Sequence, residues 1–75
     1  MINVTYLFPF FYLSFPFNRT DLQTVRTLPV RDWDKNQKVW TVPELAVQTL
    51  DGIKNLHWDQ GAQGKHKFVR GNYDI

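Results

Sequence analysis

Residues 2–17 read INVTYLFPFFYLSFPF, and their alternation sets the fold class. Ile2, Val4, Tyr6 and Phe8 share one parity, with Asn3 and Thr5 on the other. Phe11, Leu13, Phe15 and Phe17 then alternate with Tyr12, Ser14 and Pro16. A period of two in aromatic and β-branched residues marks a strand with one buried face. The two runs meet at Pro9-Phe10, so the stretch predicts a hairpin. Its turn holds no Gly or Asn and is not of the favoured two-residue type. Pro16 has no N–H to donate, which points to an edge position near the strand's end. Residues 1–17 contain no Lys or Arg, so the basic segment of a secretory signal is missing. A membrane helix needs ~20 apolar residues, and this run is shorter and is broken by Pro9 and Pro16.

Moving outward, Asn18 reads as a helix N-cap, with Asp21 placed where a carboxylate suits the positive end of the helix dipole. Phe17 before the cap and Leu22 after it form a hydrophobic staple. Leu22, Val25 and Leu28 supply the buried stripe, and Pro29 stops the helix at Leu28. Residues 30–33 and 38–42 are β-prone and flank the polar loop Asp34-Lys35-Asn36-Gln37, a second hairpin. Its alternation puts Arg31 and Trp33 on one face of the first strand, and Lys38, Trp40 and Val42 on one face of the second. Thr41-Val42-Pro43-Glu44 carries a capping-box signature and opens a second helix. Ala46, Leu50, Ile53 and His57 lie on its stripe, with Gly52 as an early left-handed stop. Residues 59–75 hold three of the four glycines and no periodicity. They read as loop, or as a tail that orders on binding, with one short strand at 68–70. The expected fold is α+β, ββαββα: a four-stranded antiparallel sheet, two helices on one face and an irregular tail. Residues 1–58 form the domain and 59–75 a basic, partly ordered tail.

Seventy-five residues allow one domain, which buries roughly 60% of the surface of its unfolded chain. No cysteine is present to staple it. Three Trp, three Tyr and six Phe compensate, since each such side chain buries about 150–250 Å². The lack of cysteine fits a reducing compartment, here the cytoplasm. The N-x-T sequons at Asn3 and Asn18 carry no meaning without a secretory route. Net charge is +2, and residues 1–60 balance six basic side chains against six acidic ones. The excess lies in Lys65, Lys67 and Arg70, and is too small to indicate nucleic acid on charge alone.

Catalytic and cofactor chemistry lack their residues. Gly61-Ala62-Gln63-Gly64-Lys65 has two residues between its glycines where a phosphate loop needs four. His66 stands where that loop needs a hydroxyl. His57, Asp59 and His66 follow no standard metal-ligand spacing. Ser14 lies in a strand without a nucleophile elbow. The expectation is a binding protein with no cofactor, metal or small-molecule substrate.

Residues 15–50, FPFNRTDLQTVRTLPVRDWDKNQKVWTVPELAVQTL, carry Phe15, Phe17, Asn18, Leu22 and Val25 followed by Arg31, Trp33, Asp34, Lys38, Trp40, Val42 and Pro43. This pattern resembles the HARP (HepA-related protein) domain that accompanies annealing helicases and Swi/Snf-type helicases of phages and bacteria. The resemblance covers about half the chain and implies a helicase-associated module that engages single-stranded or branched DNA. It departs from the family in that no helicase motor follows. The Met1 start and the irregular tail fit a small, complete protein, such as a phage protein acting in the host cytoplasm. Its partner would then be a nucleic-acid-processing protein, inhibited or adapted in the manner of anti-CRISPR or anti-defence factors.

Trp33 and Trp40 are either core residues or a platform for base stacking, with Arg31 and Lys38 holding phosphates beside them. Tyr12 falls on the opposite parity from Phe11 and Leu13 and offers a second stacking surface on the open side of the sheet. Arg26, Lys35, Lys65, Lys67 and Arg70 complete the expected phosphate contacts.

Overall fold

The computed structural model describes residues 1–73, with the side chains of all of these except Arg70, Asn72 and Tyr73. β1 (Ile2–Leu7) and β2 (Phe10–Ser14) form the antiparallel hairpin that the alternation predicts, in register Val4 to Leu13 and Tyr6 to Phe11. The turn is Phe8-Pro9, joined by a cis peptide bond. Ile2, Val4, Phe11 and Leu13 are fully buried, while Asn3, Thr5 and Leu7 are exposed. β2 is not an edge strand: the strand formed by Val39–Pro43 lies on its other side. Pro16 sits beyond the end of β2, where no ladder bond is required of it.

α1 (Arg19–Arg26) begins as the sequence predicts. Asn18 has extended backbone, and its Oδ1 accepts the Asp21 N–H at 2.8 Å. The helix stops at Arg26, and Leu28 follows it into the core. β3 (Asp32–Asp34) and β4 (Val39–Pro43) pair antiparallel, Trp33 opposite Trp40. The Asp34 carboxylate shapes their four-residue loop by accepting from the N–H groups of Asn36 (2.9 Å) and Gln37 (3.1 Å). Lys38 closes the loop in left-handed backbone, φ 57°.

From Glu44 onward the fold departs from the expected one. The second helix is a 3-10 segment (Glu44–Leu50), and Thr41 belongs to β4 instead of capping it. The Glu44 side chain, predicted to reach back to the cap, accepts from the Tyr6 hydroxyl at 2.5 Å and pairs with Lys65 at 3.5 Å. Burial, then the Glu44 hydrogen bond and charge, push the Tyr6 phenol up to about 12. Val47 and Leu50 are its buried residues, whereas His57, expected on the same stripe, is exposed in a further strand.

That strand, β5 (Leu56–Trp58), pairs parallel to β1, Ile2 with Leu56 and Val4 with Trp58. The sheet therefore has five strands, is mixed and not purely antiparallel, and runs β3-β4-β2-β1-β5. The expected irregular tail is a helix, α2 (Gln60–Tyr73), and its residues 68–70 are helical, not a strand. Asp59 starts it: its backbone N–H donates to Val4 O at 3.0 Å, and its Oδ1 accepts from Ala62 N–H at 2.7 Å. Ala62 and Val69, two turns apart, are buried. Val25, Leu28, Val47, Leu50, Ala62 and Val69 join the sheet residues in one cluster, so all three helical segments cover the same face.

Asp21 is the buried charged residue among those described. Its Oδ2 accepts from Asn18 Nδ2 (2.7 Å) and the Met1 ammonium (3.1 Å), and its Oδ1 from Asn55 Nδ2 (2.6 Å). The Asn18 bond leads in holding this carboxyl below its usual range, helped by Met1 and Asn55 against the opposing effect of burial.

Candidate functional site

The helices leave one corner of the sheet face uncovered. There β2, the chain leaving it, α1 and the second hairpin enclose a groove of about 530 Å³, lined by Leu13, Phe15, Phe17, Leu22, Trp33, Lys38 and Trp40. Strand registry builds it: Leu13 faces Trp40 across β2–β4, and Trp40 faces Trp33 across β3–β4. Leu13 forms the buried floor, Trp40 packs half-buried against the core, and Trp33 stands 50% exposed at the edge of the sheet. The two indoles lie 5.2 Å apart and tilted by 57°, a separation at which aromatic pairs attract. Trp40 therefore belongs to the core margin and Trp33 to the accessible surface.

Two cations border the rings. Arg31 Nη1 donates to the Leu28 carbonyl at 2.8 Å, which holds the guanidinium 5.9 Å from the Trp40 ring centroid. Lys38 contributes directly to the lining. Among the described residues neither makes an ion pair. Lys38 is the one charged group of the lining, and the rest is apolar. Such a surface accepts flat or apolar groups and attracts an anionic neighbour.

The other predicted contacts are dispersed. Lys35 is exposed in the adjoining hairpin loop and Arg26 in the last turn of α1. Tyr12 is half-buried on the opposite face of the sheet, across from Thr5 and Thr41, and takes no part in the groove. Lys65 is engaged with Glu44 and lies 5.3 Å and 5.0 Å from the Tyr6 and Phe68 rings. Lys67 is exposed on α2, which packs against β1, two strands away from β4. The side chain of Arg70 lies outside the described residues.

Phe15, Phe17 and Leu22 enter the lining although the sequence reading assigned them to core and staple. The available signal was aromatic alternation running past the last strand residue, Ser14. Phe17 is 83% exposed, which a core or staple residue would not be. His57, Asp59 and His66 are spread over β5, the start of α2 and a contact with Asp51 at 2.8 Å. Among the described residues no three potential ligands gather around a metal position. No helix of the described residues is long and apolar enough to cross a membrane. Comparison with family models, curated proteins and solved structures finds no match for this chain.

Proposed function

We propose that the chain is a non-catalytic, HARP-like binding module that grips single-stranded or forked DNA as an accessory to a helicase. The observation that carries the reading is the Trp33–Trp40 pair bordered by Arg31 and Lys38, two cations without acidic partners among the described residues. Unpaired bases would stack in the groove, each worth about 1–3 kcal/mol, while Arg31 and Lys38 take phosphates. The pattern of residues 15–50 that resembles the HARP domain includes these four side chains. Binding would show little base preference, because every base has a π face. Acting on intracellular DNA, the protein would work in the cytoplasm.

A salt titration of binding to single-stranded and forked oligonucleotides tests this. Binding at low salt that weakens in the Arg31→Ala/Lys38→Ala double variant supports it. Absence of binding at low salt removes it.

One observation favours a second reading. Leu13, Leu22, Phe15 and Phe17 give the groove more aliphatic and phenyl surface than stacking requires. A partner protein, such as a nucleic-acid enzyme inhibited or adapted by this module, would insert an apolar segment there. A stoichiometric partner that survives nuclease treatment in a pull-down distinguishes the two.

A further inference from the structure

The hairpin that carries Arg31, Trp33, Lys38 and Trp40 also carries an acid, Asp34, at the start of its loop. A carboxylate beside a surface that attracts anions opposes that attraction unless it is turned away and has another task. Both conditions are met. Registry sets Asp32 beside Thr41 and Thr41 beside Tyr12, so Asp34, two residues on, falls on the Tyr12 face of the sheet. It is not among the residues lining the groove, and among the described residues it forms no ion pair with Lys35 or Lys38. Its Oδ1 is occupied with the backbone instead, accepting from the N–H groups of Asn36 at 2.9 Å and Gln37 at 3.1 Å. Two amides on one carboxylate oxygen hold the loop in a tight turn.

Lys38 follows Gln37 directly, with φ 57°. The clash of Cβ with the carbonyl oxygen disfavours that backbone for any residue but glycine, so it persists only where the surroundings impose it. The Asp34 bonds impose it here. They fix the loop through Gln37 and leave a single residue, Lys38, in which the chain turns back to start β4 at Val39. A Lys38 φ in the ordinary negative range would re-aim its Cα–Cβ bond and carry the ammonium off the lining it now joins. We propose that Asp34 is a positioning residue for the cation of the groove. Through Asn36 and Gln37 it holds Lys38 in the backbone that aims the ammonium at a phosphate, and its own charge plays no part in binding. The inference rests on the reading of the groove as a single-strand site.

Binding of the full chain to a thymidine oligonucleotide, read as a salt series, tests it with two variants of equal charge. Asp34→Ala removes the acceptor, and should weaken binding by up to about eightfold at roughly 50 mM salt and lower the salt slope by about 0.7, the share of one phosphate contact. Asp34→Asn removes the same charge but keeps an oxygen for both amides, and should bind at least as tightly as wild type with the slope intact. In a Lys38→Gly background, which admits the left-handed backbone and lacks the ammonium, the two should bind alike. Alanine and asparagine variants that match each other with Lys38 present overturn the proposal, as does a difference that survives Lys38→Gly. Nuclear magnetic resonance gives the second measurement: the strong amide–Hα Overhauser effect of a positive φ at Lys38 should persist in Asp34→Asn and vanish in Asp34→Ala. Where the wild type binds no strand at low salt, the single-strand reading fails. The positioning role is then upheld by that loss, and overturned by a Lys38 signal indifferent to the alanine. Should Asp34→Ala not fold, the wild type should show the Lys38 effect together with slow exchange of the Asn36 and Gln37 amides, and absence of either overturns the proposal.

Discussion

Lys38 holds a left-handed backbone, φ 57°, at the last position of the β3–β4 loop. A residue with a Cβ accepts this conformation at about 1–2 kcal/mol, and glycine accepts it without that cost. Lys38→Gly should therefore stabilise the fold by about 0.5–1 kcal/mol after the entropy of glycine is counted. The same change should weaken single-strand binding and lower the salt slope by about 0.7, the share of one phosphate contact. Urea melts and a salt series measure the two effects on one sample, and a gain in both would argue against a phosphate role. Trp33 and Trp40 separate in a similar way. Trp33→Ala should reduce single-strand affinity roughly 5- to 150-fold with little change in melting, since the ring is half exposed. Trp40→Ala should cost about 3 kcal/mol of stability, because that ring packs on the core. Asp21 gives the fold an acid dependence. Its folded pKa lies below the ordinary 3.8, chiefly through the Asn18 hydrogen bond. The carboxylate thus contributes stability above pH 3.8 that is lost as pH falls through the lower, folded value. The stability difference between wild type and Asp21→Asn should be flat near neutrality and shrink in that acid window, as followed by denaturant melts across pH.

Among the elements, α2 was hidden for a reason its own residues explain. Gly61 and Gly64 interrupt the first two turns, and Gly71 a later one, so propensity and periodicity both fall below a readable level. The helix forms because tertiary contacts hold it: Asp59 caps it, Ala62 and Val69 are buried, Lys65 reaches Glu44, and His66 meets Asp51 and the Trp58 ring. A Cβ at Gly64 would meet nothing within 4 Å, and its φ is not positive. Gly64→Ala should then stabilise the protein by about 1 kcal/mol. For a domain of this size that raises the melting temperature by about 4–8 °C, readable by calorimetry. The first hairpin and α1 were legible because their signals are local: alternation in one, the Asn18 cap with Asp21 in the other. β5 was not, because three residues give no period and its pairing partner lies more than fifty residues upstream. The capping box at Thr41 misled because Thr41 was needed in β4 and Glu44 was drawn to Tyr6 and Lys65.

At the scale of the whole molecule, half of the site could be read in advance. Arg31, Trp33, Lys38 and Trp40 come together because one hairpin carries all four, and hairpin neighbours can be inferred from spacing. Tyr12, Lys65 and Lys67 do not join them, since faces of a sheet and positions across it depend on the strand order β3-β4-β2-β1-β5, which no local pattern encodes. That order has a consequence for how the polypeptide is made. β1 leaves the ribosome well before β5, yet its outer flank is sealed only by residues 56–58. Until those arrive, a row of amide and carbonyl groups on β1 is open to any passing strand. A fragment ending at residue 55 should clump with its neighbours instead of persisting as a smaller fold, because one flank of β1 stays bare until a strand more than fifty residues away closes over it.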